Sequence, residues 1–269
     1  MPLLFNHRPS LIAYVTCGDP DLATTREVIL AAIDAGAGIV ELGVPFSDPV
    51  ADGPVIQRAS ERALRTGTTL RDVLATAREV REQRPQAGLI VFSYFNPVFR
   101  YGLEEFCNDA QQGGVDGALI TDLALEESAD YQAAMRRRQL ATIFLAAPTS
   151  TDERLRRIAH ASTGFVYAVS RTGITGAGQQ FSPAVKMDEA RALVRRLRRH
   201  TRLPVAVGFG IATAEQFAAA GEFSDGVVVG SAIVKAIESA GARGAPRAVS
   251  DLVRELTAGA PPRAVTQGR

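Results

Sequence analysis

Eight short apolar runs rich in β-branched residues punctuate this chain, with amphipathic helical stretches between them, and that alternation limits the fold more than any other feature. The runs are Leu11–Val15, Gly38–Val44, Leu89–Tyr94, Gly117–Asp122, Ala141–Ala146, Phe165–Val169, Pro204–Gly208 and Gly226–Val229. Leu70, Val73, Leu74, Ala77 and Val80 share one helical face between the second and third runs, as do Leu193, Val194 and Leu197 on a basic segment before the seventh. Strand then helix, eight times in about 250 residues, is the pattern of a closed (β/α)8 TIM barrel in the α/β class. An open doubly wound sheet would compete only with a dinucleotide-binding glycine fingerprint, and the sequence has none. Two further helical pieces, one near residues 1–7 and one after strand two, decorate the barrel. Residues 1–258 read as one domain, and 259–269 as a disordered tail rich in Pro and Gly.

The 269 residues carry 30 basic and 29 acidic side chains, interleaved, with no tryptophan. A nucleic-acid groove needs a basic face with stacking aromatics, so that class is disfavoured, and the arginines at 195, 196, 198 and 199 read as a solvated helix face. Cys17 and Cys107 form no metal or redox motif and read as free thiols of a reducing compartment. The start lacks the basic region of a leader peptide and no run reaches membrane-spanning length, which points to the cytoplasm.

The unusual residues gather at the carboxyl ends of strands, where a barrel of this kind keeps its active site. Glu41 lies inside an apolar run, where an acid is costly to bury without a task or a partner. At the mouth of a barrel, partial desolvation raises a carboxyl pKa towards neutrality and suits it to proton exchange. Asp52 follows on a loop rich in Pro and Gly. Asp122, ending strand four, reads slightly better as a cap for a helix beginning near Glu126 than as a proton carrier. Tyr167, inside strand six, reads better as a core residue with a satisfied hydroxyl.

Glycine-bearing turns close the last three units: Gly173, Gly176 and Gly178 after strand six, Gly208 and Gly210 at strand seven, and Gly230-Ser231 opening a helix after strand eight. Each alone is explained by a tight turn. Together, at neighbouring strand ends, they let backbone N–H groups approach an anion, so a phosphorylated substrate is expected. The only lysines, Lys186 and Lys235, fall outside the strands, which argues against a Schiff-base aldolase. His7, His160 and His200 lie away from the strand ends, which argues against an imidazole-built metal site or a Ser-His-Asp triad. Carboxylates are left to move the protons.

The run ELGVPFSDPVADGP at 41–54, with SRTGITGA at 170–177, GFGI at 208–211 and GSAIVK at 230–235, resembles the tryptophan synthase α-subunit family from about Leu11 to Lys235. The resemblance implies a cofactor-free lyase subunit of L-tryptophan biosynthesis. It would cleave indole-3-glycerol phosphate to indole and glyceraldehyde 3-phosphate by retro-aldol chemistry, and pass the indole to a pyridoxal-phosphate β subunit in an α2β2 heterotetramer. It implies Glu41 as acid/base, Asp52 as partner of the indole nitrogen, and phosphate contacts at Gly176, Gly210, Gly230 and Ser231. It implies an indole pocket of Tyr14, Phe92, Tyr94, Leu119, Leu145, Tyr167, Thr175 and Phe209, and mobile loops at 47–54 and 170–180. Gly38 and Ala124 depart from the family's common Asp and Pro, away from this chemistry.

Other classes share parts of the pattern. Another phosphosugar-binding barrel would need neither the Asp52 loop nor an aromatic pocket, and the retained Glu41 and Asp52 argue against a catalytically inactive regulatory barrel. A related lyase that releases free indole without a β partner also fits. Asp48, Pro49 and Asn96 to Tyr101 are expected to rim the mouth as a partner surface, with Pro97, Val98 and Phe99 as its exposed apolar group, the alternative for Val98 and Phe99 being packing against the barrel's own helices.

Overall fold

β1 (Ser10–Thr16) is buried along its whole length because its two faces serve two cores. The computed structural model describes Phe5 and residues 9–169, 183–208 and 210–259. In it Ile12 packs in the barrel interior, while Leu11, Ala13 and Val15 pack in the layer between strands and helices. β2 (Ala37–Gly43), β3 (Gly88–Ser93), β4 (Gly117–Ile120), β5 (Ala141–Ala146), β6 (Val166–Val169), β7 (Val205–Gly208) and β8 (Gly226–Val229) repeat the alternation. Each strand pairs in parallel with the next, and β8 returns to β1 from Ser10↔Gly226 to Ala13↔Val229. The expected TIM barrel is therefore the observed fold. Ile12, Ile39, Ile90, Leu119, Ile143 and Phe165 fill its interior, and Phe5 packs edge-on against Phe165 with ring centroids 5.5 Å apart.

α1 (Leu22–Asp34) starts where Asp21 accepts a hydrogen bond from the Thr24 N–H at 2.7 Å. The extra helix expected after strand two is α2 (Pro54–Arg65), opened by Gly53 as N-cap and Pro54 at the first helical position. α3 (Leu70–Gln83) begins with a reciprocal capping box between Thr69 and Asp72, and buries all five residues of its predicted apolar face. α4 (Phe95–Tyr101), α5 (Leu103–Gln112), α6 (Ala129–Arg137), α7 (Asp152–Ala161), α8 (Pro183–Leu197) and α9 (Ala214–Gly221) follow in order. α10 (Ser231–Ala258) is broken at Gly241, whose φ of 63° is left-handed, into two helices.

Several boundaries differ from the sequence expectation. β4 stops at Ile120, so Asp122 lies beyond the strand, and its carboxylate accepts the Phe95 N–H at 2.6 Å. It therefore caps α4 and not a helix near Glu126, where Leu125–Glu127 makes one 3-10 turn before α6 begins at Ala129. β3 likewise stops at Ser93, and Tyr94 becomes the N-cap residue of α4. Pro97 sits in the first turn of that helix, where its missing N–H is not needed. The helix expected near residues 1–7 lies outside the described residues apart from Phe5, and so does the expected tail beyond Gly259.

Candidate active site

Along β2 the side chains that turn inwards are Ile39, Glu41 and the vacant position of Gly43. Glu41 stands opposite Tyr14 on β1 and Ile90 on β3. It is 0% exposed, and neither carboxyl oxygen finds a hydrogen-bond partner among the described residues. Burial pushes its pKa up to about 8, so the group holds its proton at neutral pH.

Asp52 enters from the loop between β2 and α2, which is tied down at several points. Its N–H donates to the Pro49 carbonyl at 3.0 Å, and Gln57 Nε2 donates to the Asp52 carbonyl at 2.9 Å. Tyr94 Oη accepts the Ala51 N–H at 2.8 Å and donates to Asp52 Oδ2 at 3.1 Å. Burial raises the Asp52 pKa to about 6 and the Tyr94 bond opposes that rise, so the carboxylate is ionised at neutral pH. Tyr14 and Tyr167 both have pKa values raised first by burial and further by the charges of Asp52 and Glu41. Both tyrosines thus lie within electrostatic reach of both carboxyls, and burial pushes the Glu41 pKa above neutrality while that of Asp52 stays below it.

The two tyrosines owe their positions to glycines on the next strand. A Cβ on Gly43 would lie 2.4 Å from Tyr14 Oη and 2.6 Å from Tyr14 Cζ. One on Gly208 would lie 2.3 Å from Tyr167 Oη and 3.0 Å from Tyr167 Cζ. Each ring therefore lies across a neighbouring strand that has no side chain there. Phe92 packs edge-on to Tyr14 with centroids 5.1 Å apart, and Leu119, Leu145 and Tyr167 share the interior cluster with it. Of the expected pocket residues, Thr175 and Phe209 lie outside the described residues, as does Gly176 of the expected phosphate contacts.

Gly230 and Ser231 open α10 at the end of β8, where the first N–H groups of a helix have no partner within it. Gly230 has a φ of −109°, open to any residue, and a Cβ there would meet only Tyr14 and Ile56 at ordinary distances of 3.5 Å and more. Among the described residues nothing in the packing requires glycine at that position. Gly210 is different, since its φ of +84° favours glycine by itself.

A family model described as tryptophan synthase alpha chain matches residues 3–260. The chain belongs to the tryptophan synthase alpha chain family. A tryptophan synthase alpha chain of Geotalea daltonii is 46% identical over 254 residues, 94% of each chain, and one of Solibacter usitatus is 51% identical over 232 residues, 86% of this chain and 85% of the other. A solved structure of the tryptophan synthase a2b2 complex of Pyrococcus furiosus superposes with a TM-score of 0.83 at 39% identity, covering 94% of this chain and 99% of that one. The likeness to tryptophan synthase alpha chains therefore runs past Lys235, through the second part of α10, where the motifs are silent.

Within this member of the tryptophan synthase alpha chain family, two features of the mouth escape sequence reasoning. Tyr94 reads in the sequence only as pocket lining, yet it is the residue that holds Asp52, from 42 positions away. No local pattern marks such a contact. On the rim, Phe99 is 70% and Val50 67% exposed, but Val98 is fully buried, which corrects the expectation that Pro97, Val98 and Phe99 stand out together. The helical turn of α4 separates them, sending Val98 into the core and Phe99 outwards. Among the described residues no helix is long and apolar enough to cross a membrane.

Proposed function

We propose that this chain cleaves indole-3-glycerol phosphate to indole and glyceraldehyde 3-phosphate in the cytoplasm, as a step of L-tryptophan biosynthesis, and hands the indole to a β subunit in an α2β2 complex. The observation that carries the reading is a Glu41 carboxyl buried without a hydrogen-bond partner among the described residues, together with an Asp52 carboxylate held by the Tyr94 hydroxyl on the loop that follows the same strand. Glu41 donates its proton to indole C3. Positive charge then develops towards the ring nitrogen, whose N–H donates to the Asp52 carboxylate. The Glu41 carboxylate next accepts the proton of the glyceryl hydroxyl, the carbonyl forms, and the bond from C3 to the side chain breaks with its electron pair returning to the ring. Glu41 ends protonated, as it began, and no step requires a cofactor. Each positioned proton transfer contributes about 10²–10⁴-fold.

Gly210, Gly230 and Ser231, with Gly176, take the phosphate. Gly230 supports this assignment, because close backbone approach to an anion accounts for a glycine that packing among the described residues leaves unexplained. Holding the phosphate, remote from the bond that breaks, applies binding energy to orientation of the indole. Tyr14, Phe92, Tyr94, Leu119, Leu145 and Tyr167 line the indole side with Thr175 and Phe209. The exposed Phe99 and Val50 suit the β-subunit contact, and the Pyrococcus furiosus likeness is to an assembly of that kind.

The test is to incubate the purified chain with indole-3-glycerol phosphate, alone and with a β subunit, and follow indole. Indole released slowly alone and faster with the β subunit is the expected result. Release that ignores the β subunit would make the chain a free-standing lyase, and no release in either case would overturn the reading.

A further inference from the structure

Arg62 joins three segments whose mouth ends carry the site. Its Nε and Nη2 donate to the two carboxylate oxygens of Asp19 at 2.7 and 2.8 Å, and its Nη1 donates to Glu238 Oε1 at 2.7 Å. Asp19 lies three residues beyond β1, in the turn that follows Tyr14 and Thr16, and is 3% exposed. Arg62 itself lies on α2, whose first residue follows Asp52 and Gly53. Glu238 lies on α10, seven positions after Ser231.

Apolar packing joins the same segments nearer the mouth. Tyr14, Ala59 and Val234 form one cluster with Val55 and Ile56, and Ile56 reaches to within 3.8 Å of where a Gly230 side chain would begin. α2 thus stands between the Asp52 loop and the start of α10, and Arg62 sets its seat from the far end. A bidentate guanidinium on a buried carboxylate has one orientation, which a point-charge ammonium lacks.

We propose that Arg62 is a positioning residue for the cleavage: by keying α2 to the β1 turn and to α10, it fixes where Asp52 stands relative to Glu41 and to the anchored phosphate. This rests on the proposed lyase reaction. Glu41 and Gly210 belong to segments that Arg62 does not touch, and Ser231 opens a helix that is also packed against β1, so loosening α2 misplaces Asp52 more than it disturbs substrate anchoring. A misplacement on the order of 1 Å costs up to about 100-fold in rate.

The experiment compares Arg62→Lys, Glu238→Gln and a control, Arg84→Lys, in the full chain with indole-3-glycerol phosphate. Arg84 makes the same bidentate contact, to Asp34 at 2.7 Å for both bonds, but at the end of α1 and α3 away from the mouth. Arg62→Lys keeps a cation beside the buried Asp19, and Glu238→Gln leaves the Asp19 pair whole.

The expected result is a kcat about tenfold lower in Arg62→Lys, with KM within about twofold of wild type and the acid limb of the pH–rate profile moved upwards. Glu238→Gln should show a smaller loss of kcat, and Arg84→Lys none. Unchanged kcat and acid limb in Arg62→Lys would overturn the proposal. So would equal losses in Arg62→Lys and Arg84→Lys that follow their melting temperatures, since those would mark a merely structural bond. A wild-type chain that releases no indole overturns the lyase reading itself and this inference with it. An active wild type beside an unaffected Arg62→Lys overturns the positioning role alone.

Discussion

Tyr94 donates its hydroxyl proton to Asp52 Oδ2 at 3.1 Å while accepting the N–H of Ala51, so one side chain fixes both the carboxylate and the backbone that bears it. The bond stabilises the ionised form of Asp52 and opposes the rise in pKa that burial imposes. Tyr94→Phe keeps the ring beside Phe46, whose centroid is 5.1 Å away, and removes only the hydroxyl. The proposed role of Asp52 assigns to it the acid limb of kcat/KM, which should then rise by about one unit in the variant, the effect of one hydrogen bond to a charged group. A limb that stays in place would show that Asp52 does not set it.

The tyrosine-over-glycine pairs predict an asymmetric rescue. Gly208→Ala brings a methyl against Tyr167 mainly at its hydroxyl, whereas Gly43→Ala meets the Tyr14 ring carbons as well, at 2.6 and 2.9 Å. Each single change should destabilise by about 1–3 kcal/mol through overpacking. Adding Tyr167→Phe should restore much of the loss at Gly208, while Tyr14→Phe should restore little at Gly43. Denaturant melts of the four variants and two doubles check this, and equal rescue at both sites would mean that the rings move aside freely.

Glu41 should make the folded state less stable as pH rises. Its folded pKa of about 8 exceeds the ordinary carboxylate value of 4.5, so the folded form binds the proton more tightly than the unfolded form. Stability contributed by the protonated group is complete below about 4.5 and is lost as pH climbs through about 8. Glu41→Gln removes that titration. The two proteins should unfold alike near pH 4, and the variant should be the more stable by an amount on the order of 5 kcal/mol near pH 9. Parallel stability curves across that range would mean that Glu41 is not sealed from water in solution.

Much of this was legible in the sequence because it is local. β8 begins and ends where its apolar run does, since Asp225 and Gly230 bracket it, and Glu41 stands out because an acid inside Ile39–Val44 has no bland explanation. What was hidden depends on chain closure. The Asp122 contact with Phe95 spans neighbouring strand ends, the Tyr94 contact with Asp52 crosses from β3 to the preceding loop, and Arg62 meets Glu238 from 176 positions away. Periodicity sees none of these. Composition alone also left Val98 and Phe99 open to either exposure or packing on the barrel's helices, and the turn of α4 divides them, burying the first and exposing the second.

The central claim, that Glu41 moves the protons of cleavage, is tested most directly by the rate at which Glu41→Gln releases indole from saturating indole-3-glycerol phosphate, measured beside the wild type at pH 7. The amide is nearly the same size, and among the described residues Glu41 makes no hydrogen bond that the variant would lose, so folding and phosphate binding should persist. The account predicts a fall of at least about a hundredfold, the contribution of a positioned acid and base. A variant that keeps more than about a tenth of wild-type turnover would contradict it and move the proton chemistry to another group.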